Sequence, residues 1–219
     1  MITRGTRRPL PISSPLTLWF RRTLLPIFNY ANNATGGGDV YSYSLEFAPH
    51  HLGVWPVCAM KEEDQENMPV EESSNMLIML AALAKVQGSD SVEYLKPYIG
   101  MLKQWADFNI GVLPDPGDQL CTDDFEGPSP HNVNLAAKGI VSLGAFGQLL
   151  GVMGDEDGAS HYRGIAEELV GNWTSMGVEG GHSKLQVRRA SEQSDAKRAM
   201  RRELCEERGA AKGGTQTCC

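Results

Sequence analysis

Two clusters of carboxylates stand just ahead of apolar stretches. The first is Met68-Pro69-Val70-Glu71-Glu72-Ser73-Ser74-Asn75-Met76. The second is Thr122-Asp123-Asp124-Phe125-Glu126-Gly127, with Asn132-Val133-Asn134-Leu135-Ala136 soon after. Paired carboxylates can divide general acid from general base work: a protonated carboxyl supplies a proton while an ionised one activates water. Glu71, Glu72, Asp123 and Asp124 are therefore the candidate catalytic residues. His50, His51 and Trp55 of the segment Ala48-Pro49-His50-His51-Leu52-Gly53-Val54-Trp55 could line a polar pocket, and Asn75 and Asn134 could bind amide or hydroxyl groups of a substrate. Each has a plainer reading. Acids in a first helical turn complement the helix dipole, and two adjacent ones point about 100° apart. Asp123 and Asp124 could cap a turn, the histidines could belong to an ordinary loop, and Asn132 reads best as a helix cap.

The elements that would position these groups are helical. Pro69 to Val86 opens on Pro and two Glu, ends on Lys85 and Gly88, and carries no charge from Ser73 to Ala84. These are start and stop signals for a buried helix. Ser91 to Ile110 alternates charged and apolar residues with helical period, with Pro97 ending or bending its first turn. Val133 to Val152 holds Lys138 as its single charge and reads as buried. Gly158 to Trp173 is amphipathic. A Pro-rich loop, Gly111 to His131, joins the second helix to the third and is long enough to carry function. The order buried, surface, buried, surface suits an all-α fold of two helical hairpins in an α/α toroid. Its inner helices run parallel, so both acidic clusters would share one rim. A four-helix bundle is the rival architecture.

Composition limits the rest. The chain has 219 residues and a net charge of -7, which argues against nucleic acid as a partner. No apolar run is long enough to span a membrane, so no membrane association is expected. Residues 23–172 hold six basic residues against 21 acids, a net of -15. Residues 1–23 are read as an irregular, Arg-containing segment, 24–173 as the domain, and 174–219 as a basic, disordered tail. That tail either binds an anionic partner or reflects a shifted reading frame after Trp173. Prolines interrupt any signal-peptide core. Cys58 and Cys121 lie near the candidate loops and could pair. Asp155-Glu156-Asp157-Gly158 does not fit a calcium loop, because the residue in the closing position is Gly164. No metal site or cofactor is expected, and oligomeric state is not legible.

Several stretches in order resemble the fungal glutaminase A family: Phe47-Ala48-Pro49-His50-His51-Leu52-Gly53, Met68-Pro69-Val70-Glu71-Glu72-Ser73, Lys103-Gln104-Trp105-Ala106-Asp107, Leu120-Cys121-Thr122-Asp123-Asp124-Phe125 and Asn134-Leu135-Ala136-Ala137-Lys138-Gly139-Ile140. The resemblance covers about Leu24 to Trp173. It implies an α/α toroid similar to six-hairpin glycosidases, and a secreted enzyme converting L-glutamine to L-glutamate and ammonia. On this view the chain is a fragment. The alternatives are a six-hairpin glycoside hydrolase acting on carbohydrate, and an inactive remnant.

Overall fold

The computed structural model describes residues 15–34, 46–54, 66–88, 93–121 and 129–187. Among the described residues the architecture is all-α: five α-helices, α1 (Pro15–Ala34), α2 (Pro69–Gln87), α3 (Ile99–Val112), α4 (Val133–Val152) and α5 (Glu156–Gly177), with one short hairpin of β1 (Val178–Glu179) and β2 (His182–Ser183). A 3-10 stretch, Glu93–Tyr98, precedes α3 and contains Pro97. The Pro97 ring and its missing N–H explain why α-helix starts only at Ile99, later than the helical period suggested.

Side-chain contacts fix the helix directions. Val70 and Glu71 near the start of α2 meet Gly139 and Lys138 of α4, and one turn further on Ser74 and Ser142 are bridged by Asn109. Both sets of contacts advance together along the two helices, so α2 and α4 are parallel, with their N-termini at one end. Along α4 and α5 the order reverses: Gly151 lies against Ala159, Gly144 against Ala166, and Val133 against Trp173 and Gly177. That pair is antiparallel. Small residues allow the close approach. A Cβ added at Gly147 would stand 2.9 Å from the Ala159 carbonyl oxygen and 3.2 Å from the Arg163 nitrogen.

The core is continuous from α1 to the chain beyond β2. Leu24, Phe28 and Ala31 form one buried face of α1. Phe28 packs on Tyr98 and Trp105, with ring centroids 5.5 and 6.1 Å apart. Leu77, Leu80, Leu102, Trp105, Leu143, Phe146 and Leu149 are wholly buried between the helices. α4 is long and apolar enough to cross a membrane by length and composition, contrary to the sequence reading, with mean hydropathy 1.5. Its Leu, Val and Ile residues raise that value, and 56% of the stretch is buried in this core.

Both ends of the domain extend past the expected bounds. Helix α1 begins at Pro15, where an irregular segment was expected up to residue 23. Pro15 occupies the first helical position, where a missing N–H costs nothing. Past Trp173, α5 continues to Gly177, and residues 178–187 fold back over the start of α4. Val133 N–H donates to Leu185 and Val187 N–H to His131, at 3.0 and 2.7 Å. Val187 is fully buried. The apolar residues Val178, Leu185 and Val187 are too few to give a periodic pattern, so this segment reads as tail in the sequence. The remainder of the expected tail lies outside the described residues.

Candidate functional site

The start of α2 is shaped by a residue 49 positions further along the chain. Met68 makes no side-chain cap; instead the Gln119 side-chain oxygen accepts the Val70 N–H at 3.0 Å while its amide donates to the Pro116 carbonyl at 2.6 Å. Buried Gln119 thereby satisfies one helix donor that lacks an intrahelical partner and pins the loop after α3 across the α2 terminus. Asn67 adds a second tie, donating to the Asp118 carbonyl at 2.9 Å. At α4, Asn132 is the cap expected of it: its side-chain oxygen accepts from the Asn134 and Leu135 N–H groups, each at 2.9 Å.

From this rim the two adjacent glutamates diverge, as helix geometry requires. The Glu71 side chain is 4% exposed and turns to α4, where the Lys138 ammonium donates to it. Glu72, 15% exposed, turns to the 46–54 segment and meets His50 Nδ1 at 2.8 Å. The other ring nitrogen of His50 faces Glu66 at 3.5 Å. Asn75, one turn on, reaches back toward both glutamates at 3.5 and 3.4 Å. The Ala48 N–H donates to Ser73 Oγ at 3.0 Å, which holds the histidine segment against α2. His51 Nδ1 accepts the Gly53 N–H at 3.1 Å, and its ring stands edge-on to His50. Asn134 is exposed on α4, one turn before Lys138 on the same open face. Asp123, Asp124, Trp55 and Cys58 lie outside the described residues. Cys121 is half-buried and receives a weak contact from Asn132 Nδ2 at 3.7 Å.

Four of the expected residues, His50, Glu71, Glu72 and Asn75, thus form one connected polar group. Two members were missed by sequence reasoning. Lys138 was noted only as the single charge of its helix; an isolated charge within an apolar helix was itself the signal, since such a group needs a buried partner. Glu66 carried no local pattern. Among the described residues no cluster of His, Cys, Asp and Glu is placed to hold a metal ion. A cavity of about 450 Å³ lies beside the loop after α3, lined by Val112, Leu113, Asp115, Gly117 and Met176 among others. None of the described candidate residues lines it.

Acids elsewhere have structural work. Asp155 caps α5 through the Gly158 N–H at 2.9 Å and pairs with Lys103 at 3.2 Å; the backbone bond first, and the lysine after it, hold its carboxyl below the ordinary value. Burial, and then a 2.7 Å bond to Asp107, push the Tyr162 phenol above its usual range. Asp115 accepts from Gly117 N–H and lies 2.6 Å from His131 Nδ1, which steadies His131 in a left-handed backbone conformation at φ 57°.

The family model of the glutaminase A six helical-hairpin domain matches residues 12–196. The chain belongs to this family. Glutaminase A of Aspergillus oryzae is 32% identical over 157 residues, 71% of this chain and 21% of that protein. A protein of Arthroderma benhamiae named as a probable glutaminase is 32% identical over 85 residues, 38% of this chain and 10% of that one. The chain thus spans about a fifth of the length of the Aspergillus relative. In the six helical-hairpin frame, α2 and α4 are inner helices, α3 and α5 outer ones, and Glu71, Glu72 and Lys138 lie at one end of the inner pair.

Proposed function

We propose that this chain supplies one sector of an amide-hydrolysing site that acts on L-glutamine and releases L-glutamate and ammonia. The observation that carries the reading is the convergence of Glu71, Glu72, Asn75, His50 and Lys138 at the shared end of two parallel helices. In this reading Glu72 is the proton-handling carboxylate, because it is partly open and has a titratable partner in His50. It takes a proton from the water that attacks the side-chain amide carbon. Glu71, held by Lys138, stays a fixed charge that orients Asn75. In the same reading Asp123 or Asp124 gives a proton to the departing ammonia. Asn75 and Asn134 bind polar groups of the substrate. The relatives' names support glutamine as the substrate, and we propose a secreted location.

The test is glutamate release from L-glutamine by the purified 219-residue chain, with glutamine-dependent NMR shifts of the His50 and Asn75 side chains as a binding readout. We expect binding at these residues, and loss of any turnover in Glu72→Gln and Asp123→Asn. Unchanged turnover in either variant removes that residue from the mechanism. Glutamine that moves neither His50 nor Asn75, with no turnover, refutes the reading.

A further inference from the structure

Behind the polar rim, three polar side chains sit in the apolar core where nothing in the chemistry calls for them. Asn109 of α3 is fully buried, as are Ser74 of α2 and Ser142 of α4. The Asn109 side-chain N–H groups donate to Ser74 Oγ and to Ser142 Oγ, each at 3.1 Å. Ser142 spends its own proton on the Gly139 carbonyl at 2.6 Å, so it can only accept from Asn109, which fixes which way the amide points. The amide oxygen of Asn109 has no partner among the described residues. A buried acceptor left unpaired costs about 1–3 kcal/mol, and an apolar residue of the same shape would avoid that cost. Asn109 is therefore a poor choice for stability alone.

Its position suggests what it does. Ser74 is one helical turn after Glu71, and Ser142 one turn after Lys138. One planar amide grips both inner helices at the same level, a turn below the Glu71–Lys138 pair. Apolar side chains can slide past each other at little cost, whereas a two-handed hydrogen-bonding group accepts one register. We propose that Asn109 is a positioning residue: it sets the axial register of α2 against α4, so that Lys138 meets Glu71 and the rim carboxylates face the site. This rests on the functional reading only for its purpose; the register itself is measurable without turnover.

The experiment is competitive acetylation of the intact chain by acetic anhydride, read lysine by lysine by mass spectrometry, with thermal unfolding of each variant as a control. Glu71→Gln gives the rate of a released Lys138. Asn109→Leu is expected to keep its unfolding temperature near the parent's, yet to raise Lys138 acetylation toward the Glu71→Gln rate, about tenfold for loss of one charged hydrogen bond. Lys103, Lys85 and Lys96 should not change. Should Asn109→Leu fail to fold, Ser142→Ala, which deletes one acceptor and little volume, decides alone. Parent-like Lys138 acetylation in a folded Asn109→Leu or Ser142→Ala protein overturns the proposal, as does Glu71→Gln leaving Lys138 unchanged. A chain that neither binds nor hydrolyses glutamine but shows the acetylation response would sink the functional reading and keep the register.

Discussion

Replacing Lys138 by Met should cost far more than deleting an ordinary surface lysine. The Glu71 side chain is 4% exposed and Lys138 27% exposed. Removing the partner of a buried charge costs about 3–5 kcal/mol. Water can reach the half-open lysine end, and Asn75 remains at 3.5 Å, so we expect about 2–4 kcal/mol for Lys138→Met, the lower part of that scale widened for screening. Glu71→Gln removes the charge but leaves the amide beside an ammonium that can turn to solvent, and should cost about 1–2 kcal/mol. The double variant Glu71→Gln/Lys138→Met leaves no charge unpaired. It should be more stable than Lys138→Met alone by about 1 kcal/mol or more, the reverse of additive loss. The assay is urea unfolding of all four proteins, with equal slopes confirming comparable unfolding. A Lys138→Met cost under about 0.5 kcal/mol, with coupling near zero, is the behaviour of an exposed pair. That result would refute both the buried ion pair and the idea that Glu71 is a fixed charge at the rim.

Other outcomes follow from the packing. Gly147→Ala should destabilise by about 1–3 kcal/mol, since its Cβ would press on the Ala159 carbonyl at 2.9 Å; denaturant midpoints check this. Asn132→Ala should cost about 0.5–2 kcal/mol through the lost cap, and Asn132→Asp should recover most of it. For Asp155 the folded carboxyl is held below its ordinary value, so it binds fewer protons when folded than when unfolded near that value. Its contribution is present above about pH 4 and is lost as pH falls through the lowered value. The unfolding temperature of the parent should therefore exceed that of Asp155→Asn at pH 6, and the gap should close toward pH 3; a gap independent of pH counts against the assignment.

The parts that sequence made legible share a physical cause. Val133–Val152 was readable to the residue because Asn132 caps it and a single lysine interrupts its apolar content. The start of α2 was readable because Pro69 marks a first helical position. What stayed hidden depends on distant partners. Gln119 as the cap of α2, Lys138 as the partner of Glu71, and Val187 as a buried core residue are each fixed by contacts dozens of residues apart. No local pattern encodes them. The acids Asp155, Glu156 and Asp157 show the converse: a conspicuous cluster whose first member caps a helix and pairs with Lys103. Helix α1 escaped notice because Pro26 lies inside it, and prolines within an apolar stretch argue against a helix until Leu24, Phe28 and Ala31 are seen on one buried face.

The pairing of 185–187 with 131–133 has a consequence for how the domain opens. The first amide of α4 has no partner within its own helix; Val133 borrows one from Leu185, and the Trp173 indole holds the Val133 carbonyl. The chain from His131 to Val187 is thereby closed into a ring whose clasp lies at the rim. Fraying, which ordinarily starts at a helix end and costs little, cannot start here without releasing the clasp and the last turn of α5 together. The Val133 and Val187 amides should exchange with solvent as one unit, at a rate set by that joint release.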